Sequence, residues 1–198
     1  MLFKRSELIT RARNLTSGLH PTFDSLESLL ENFSARSMEK TYDIFLSHRY
    51  ADREAVAGLA DRLETEFNLS VYVDWREDPR LDRNRVTKGT AELLRQRIKK
   101  CKCLWYVTSE NSTGSKWMPW ETGYMDGLTS RVAICPLVEG NQYEFVGVEY
   151  LALYPYINCV PIEGHSVDSL WVKESPTKYC LFESWLNHKC DPVEHEVR

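Results

Sequence analysis

The sequence predicts a doubly wound α/β sandwich: a central parallel sheet of about five strands with helices on both faces. Three observations carry that reading. Apolar runs rich in Val, Ile, Leu and aromatics recur from residue 41 onward. Amphipathic stretches of about a dozen residues separate them, as right-handed βαβ units require. The runs are apolar throughout rather than alternating, so both faces of each strand should be covered.

Each element follows from local pattern. TYDIFLS (41–47) is the first strand, and HRYAD the polar turn after it. Asp52 is placed to cap a helix carrying Val56, Leu59, Ala60, Leu63 and Phe67 at helical spacing. SVYVDW (70–75) is the second strand, followed by a charged loop, REDPRLDRNRV (76–86). Thr87 starts a helix with Ala91, Leu94, Ile98 and Cys101 on one face. CLWYVTS (103–109) is the third strand, and the polar loop ENSTGSK leads to a helix over about 117–129. RVAICPLV (131–138) is the fourth strand. One of INCVPI (157–162) or SLWV (169–172) supplies the fifth, and YCLFESWLNH (179–188) the closing helix. The class is therefore flavodoxin-like.

Ahead of this lies a helical extension, residues 1–38, then the α/β domain, 39–190, and a tail, 191–198. In the extension Leu8, Ala12 and Leu15 share a face, His20-Pro21 breaks the run, and Asp24 with Glu27 forms a capping box before Leu26, Leu29, Leu30 and Phe33. It reads first as a helix pair packing on the domain and second as a surface for a partner.

Bulk properties exclude several classes. A net charge of −4 argues against nucleic acid or an anionic membrane as the main partner. No apolar run approaches the roughly 20 residues needed to span a bilayer, and no signal-peptide core opens the chain. The expected location is the cytoplasm. The six cysteines contain no CxxC pair and read as reduced thiols. No metal site is expected, His188 with Cys190 being the nearest approach to ligand spacing. GxGxxG, GxxxxGK[ST] and GxSxG are all absent.

Ligands of open parallel sheets bind beyond the carboxyl ends of the strands. That selects Ser47, His48, Arg49 and Tyr50; Asp74, Trp75 and Arg76; the loop from Ser109 to Ser115; and Glu139-Gly140. Glu121 sits in SKWMPWETGY, one turn from this edge. Pro119 fits only a first helical turn, which puts Glu121 near the third position. There a glutamate is favoured by the dipole and by capping in any protein, so spacing alone places a structural role ahead of a catalytic one. Trp117, four residues earlier, lies on roughly the same face. His48, beside Ser47, reads as a loop histidine or, second, as a base.

Two segments resemble a known family. YDIFLSHRYAD (42–52) is similar to the first box of a TIR (Toll/interleukin-1 receptor) domain, and SKWMPWETGY to that family's third-helix motif, with tryptophan four residues before glutamate. The spacing and the strand–helix order agree over roughly 41–188. VDWREDP stands where the family has its BB loop, without the RDxxPG-like pattern of animal receptors. The pattern most resembles stand-alone bacterial TIR proteins of antiphage defence, of Thoeris type.

The resemblance implies NAD⁺ as substrate rather than as a resident cofactor, and cleavage of its nicotinamide–ribose bond. It implies ADP-ribose, or a cyclic or conjugated ADP-ribose signal, as product. Glu121 matches the catalytic glutamate. Ser47 and Arg49 would contact phosphate or ribose, and His48 would line the site. Trp75 would form a pocket wall or simply pack at the sheet end. Arg76, Arg80, Arg83 and Arg85 each read first as part of a solvated charged loop and second as contacts for the diphosphate or a neighbouring subunit. Ser115 would line the site. Trp117 would support the helix or, second, stack on substrate. Self-association through TIR–TIR contacts is implied, with a separate effector protein responding to the product. Two alternatives stand beside this: a TIR interaction module without catalysis, and a nucleoside deoxyribosyltransferase-like enzyme with Glu121 as covalent nucleophile.

Overall fold

A computed structural model describes residues 1–16, 40–78, 87–112, 114–147 and 149–196. Its described strands form one nine-stranded sheet in the order β3-β2-β4-β5-β6-β7-β8-β9, with β1 beside β5. The parallel part is β2 (Tyr42–Ser47), β3 (Val71–Tyr72), β4 (Cys101–Thr108), β5 (Val132–Val138) and β6 (Tyr156–Pro161). These are the five expected parallel strands, and β2 pairs with both β3 and β4. The helices divide between the faces. α1 (Arg5–Thr16), α2 (Arg53–Glu66) and α6 (Phe182–Leu186) cover one face, over a core built on Ile44, Leu46, Leu59, Leu63 and Trp105. α4 (Lys88–Ile98) and α5 (Trp117–Thr129) cover the other, over Tyr42, Phe45, Leu104, Tyr106 and Met118.

The second strand is shorter than expected. After Tyr72 the chain turns into a helical turn, α3 (Asp74–Glu77), so Asp74, Trp75 and Arg76 are not extended. Side chains fix this turn. Tyr42 donates its hydroxyl to Glu77 at 2.6 Å. Tyr72 and Arg97 both donate to Asp78, the latter through Nε at 2.7 Å. Burial and the Glu77 carboxylate push the Tyr42 phenol well above its ordinary range, so it remains a donor. Thr87 caps α4 as expected, accepting from Thr90 N–H at 3.1 Å, but Cys101 opens β4 instead of ending that helix.

Beyond β6 the sheet turns antiparallel. Both candidate fifth strands form: β6 pairs with β7 (Asp168–Lys173). The hairpin between them turns at Gly164, whose φ of +81° suits glycine. The expected closing helix is split, with β8 (Lys178–Leu181) pairing to β7 before α6 begins. Within the expected tail, β9 (Val193–Glu194) adds to β8.

Residues 1–16 pack on the domain. β5 and β6 share only the pair Ile134–Tyr156. Beyond it β1 (Phe3–Lys4) runs parallel to β5, with Phe3 opposite Leu137, and Cys159 N–H donates to Met1 O at 3.0 Å. Leu8 and Ala12 are buried, whereas Leu15 is exposed. The capping box at Asp24 and the apolar stripe that follows lie outside the described residues, as do Arg80, Arg83 and Arg85. Among the described residues no helix is long and apolar enough to cross a membrane, and no group of three His, Cys, Asp or Glu side chains is arranged to hold a metal ion.

All six cysteines are free thiols. Burial pushes Cys159 and Cys180 up to about 12, and holds Cys101, Cys103 and Cys135 well above the ordinary thiol value. At pH 8 these five are protonated and enclosed, so iodoacetamide should alkylate only half-exposed Cys190 in the native protein and all six thiols after denaturation. Rapid native labelling of a second cysteine, read by mass spectrometry, would contradict this packing.

Candidate active site

The site grows from the launch of α5. Polar side chains settle the preceding loop: Ser109 N–H donates to Ser112 Oγ at 2.7 Å, and Met118 N–H to Ser115 Oγ at 3.2 Å. The latter satisfies one of the helix-start amides that have no intrahelical acceptor. Gly114, at φ +82°, makes the turn. The helix begins at Trp117, so Pro119 is its third residue, where a missing N–H costs nothing.

Glu121 is then the fifth helical residue, beyond the first turn. The expected capping role gives way to a different one. Met118, Glu121, Thr122 and Met125 fall at i, i+3, i+4 and i+7 and are all buried. Glu121 is 0% exposed, a carboxylate in the inward stripe of a helix packed on the sheet. Burying such a charge is costly without partners. Ser47, the last residue of β2, donates its hydroxyl to Glu121 Oε2 at 2.6 Å, joining residues 74 apart in sequence at the carboxyl edge of the central strand. Tyr106 lies level with Ser47 in the β2–β4 register, and its hydroxyl is 3.4 Å from that of Tyr150. Burial, with the Tyr150 hydroxyl second, pushes the Tyr106 phenol up.

His48 and Trp75 form a second pair. His48 Nδ1 is 2.8 Å from Leu46 O, and Trp75 Nε1–H donates to His48 Nε2 at 3.1 Å. A ring that donates from Nδ1 and accepts at Nε2 is the neutral tautomer. Asp74 Oδ1 also lies 3.5 Å from Nε2. Both ring nitrogens are therefore engaged, Nε2 by the indole of Trp75. Arg49 follows on the same turn, half-buried, its Nη1 3.9 Å from where a Cβ on Gly114 would stand, so the guanidinium lies along the loop that launches α5.

The remaining expected residues divide. Ser115 and Trp117 both sit at the start of α5, Ser115 accepting the Met118 amide and Trp117 buried edge-on to Trp120 at 5.5 Å. Arg76 is drawn elsewhere. Its guanidinium donates twice to Glu64 on α2, at 2.7 and 3.1 Å, and its Nε to Glu77. These bonds commit its guanidinium to Glu64 and Glu77. Sequence reading passed over Tyr106, which apolar patterning hides in a buried strand.

A sequence model of the TIR domain matches residues 44–169. The chain is 43% identical over 162 residues to a protein of Bacillus cereus (strain MSX-D12) named "Probable 3' cyclic ADP-D-ribose synthase ThsB'", covering 81% of this chain and 82% of that protein. It is 30% identical over 99 residues to a protein of Cytobacillus dafuensis named "Putative cyclic ADP-D-ribose synthase TIR2", covering 48% of this chain and 26% of that one.

Proposed function

The chain belongs to the TIR domain family, and on that premise we propose that it cleaves the nicotinamide–ribose bond of NAD⁺ and closes the ADP-ribose part into a cyclic signal, with Glu121 as the catalytic carboxylate. One observation carries the residue assignment: a fully buried glutamate, held by Ser47, at the carboxyl edge of a parallel sheet. The names of the two relatives support the product class.

The chemistry needs little machinery. The C1′–N bond breaks with its electron pair passing to the pyridinium nitrogen, so nicotinamide leaves neutral and no general acid is required, unlike ordinary glycoside hydrolysis. Positive charge grows on C1′ and the ring oxygen, and a fixed carboxylate in a poorly hydrated cleft stabilises it. A nucleophilic hydroxyl of the ADP-ribose part then bonds to C1′ and releases one proton, for which Glu121 is the acceptor. Water in the same place gives ADP-ribose instead, so the product depends on how well the cleft excludes solvent. NAD⁺ is substrate throughout, and the reaction as written uses no resident cofactor or metal.

Ser47 orients the carboxylate. Arg49 is the cation for the diphosphate, in keeping with the fit of guanidinium to phosphate, and Trp75, held by His48, is a wall. Since Glu121 is enclosed in the isolated chain, access requires the cover to move, and TIR–TIR self-association is the step we assign to that opening. The exposed apolar side chains Tyr143, Val146 and Leu153 supply surface for such contacts. A cytoplasmic setting, a separate effector responding to the product and a role in antiphage defence complete the reading.

Incubating concentrated protein with NAD⁺ and separating the products tests it. Nicotinamide should appear in equal amount with a cyclic ADP-ribose. Intact NAD⁺ at every protein concentration would leave the non-catalytic interaction module, and a glycosyl adduct on Glu121 would favour the deoxyribosyltransferase-like chemistry.

A further inference from the structure

Asp52 is fully buried, yet it does not do what its position suggests. It stands at the N-cap of α2, and its side chain makes no capping bond. Its two oxygens are committed elsewhere. Oδ2 accepts from Ser109 Oγ at 2.6 Å, and Oδ1 from Arg5 Nε at 3.3 Å. Ser109 is the first residue after β4 and is itself tied to Ser112. Arg5, at the start of α1, also places Nη1 3.8 Å from Glu139, the first residue after β5. A chain of guanidinium, carboxylate and hydroxyl thus joins the segments that leave β2, β4 and β5, the three strands at whose edge Glu121 sits.

A buried carboxylate and the groups that satisfy it behave as one unit, because removing a partner leaves an uncompensated charge. We propose that Asp52, clamped by Arg5, is a positioning residue for Glu121. Through Ser109 it fixes the loop over 109–116, and that loop sets where α5 begins and how Glu121 meets Ser47. Residues 1–16 are on this account part of the site's framework. The inference rests on the assignment of Glu121.

Four single variants, Arg5→Ala, Arg5→Lys, Asp52→Asn and Ser109→Ala, and the double variant Arg5→Ala/Ser109→Ala test it. Two readouts are needed, kcat and KM for nicotinamide release, and amide hydrogen exchange over 109–118. Arg5→Ala and Asp52→Asn should lower kcat between about 10- and 100-fold, the scale of a small misplacement near the reacting centre, with KM within about twofold. Arg5→Lys should restore most of kcat. Ser109→Ala added to Arg5→Ala should cost less than the product of the two single losses, as members of one network do. Exchange over 109–118 should quicken in the impaired variants while β7 and β8 keep their protection. Unchanged kcat in Arg5→Ala and Ser109→Ala would overturn the proposal, as would unchanged exchange over 109–118. Ser109→Ala removes a single hydroxyl and keeps the test open should Asp52→Asn fail to fold. A wild type that releases no nicotinamide would sink the Glu121 assignment instead, and exchange would then decide the coupling by itself.

Discussion

Replacing Glu121 with glutamine should lower nicotinamide release by about 10²- to 10³-fold, the usual loss when a preorganised electrostatic group is removed from a transition state. The substitution is nearly isosteric. Its amide oxygen still accepts from Ser47 Oγ, the bond that holds Glu121 in place at 2.6 Å. The melting temperature should therefore stay within about 3 °C of the wild type, roughly 1 kcal/mol for a chain of this size. A structural role predicts the reverse, with stability falling and turnover surviving. Measuring both on one preparation separates the two. A Glu121→Gln protein that still releases nicotinamide at the wild-type rate would remove Glu121 from the mechanism.

Gly58→Ala should have the largest effect on stability. A Cβ built on Gly58 stands 2.0 Å from the carbonyl oxygen of Leu8 and 2.7 Å from its carbon. Both are backbone atoms, so no rotamer change relieves the clash. α1 must lift from α2, and with it the ion pairs that fasten the two helices, Arg13 to Glu54 at 2.7 Å and Arg11 to Asp61 and Glu66. Those pairs are partly exposed and individually worth little, so they cannot hold α1 against the overlap. The cost is about 3 kcal/mol, the upper part of the overpacking range. That corresponds to roughly 6–12 °C in Tm. A melting temperature unchanged by Gly58→Ala would mean that α1 does not cross α2 at this glycine.

The parts of the fold that the sequence announces are those set by local pattern. Runs such as YDIFLS and CLWYVT are too apolar for anything but covered strands, and Pro119 marks a helix start. The antiparallel extension was harder to read. INCVPI and SLWV are each short and apolar, and nothing local says that both pair, because the turn at Gly164 that joins them is decided by one backbone angle. Lys178–Leu181 followed by Phe182 shows how four residues of strand and five of helix can imitate one longer helix.

The site divides in the same way. Glu121 emerges from a resemblance, while its spacing suggests a cap. The positions Met118, Glu121, Thr122 and Met125 hold the better clue, since they place a carboxylate in a buried stripe. Arg76 has two readings, because a basic residue at a strand end suits a phosphate as well as it suits Glu64, the partner it takes in the fold. Asp52 was out of reach of local reasoning. Its partners Arg5 and Ser109 lie 47 and 57 residues away, and an aspartate before a helix has an ordinary explanation close at hand.

The central claim is that NAD⁺ reacts at the Glu121 carboxylate, at the sheet edge where Ser47 holds it. A crystal structure of the Glu121→Gln protein with NAD⁺ bound tests it most directly. The account predicts the nicotinamide ribose against residue 121, its hydroxyls within hydrogen-bonding distance of the substituted side chain, and the diphosphate toward Arg49. NAD⁺ bound with its ribose remote from residue 121 would contradict it.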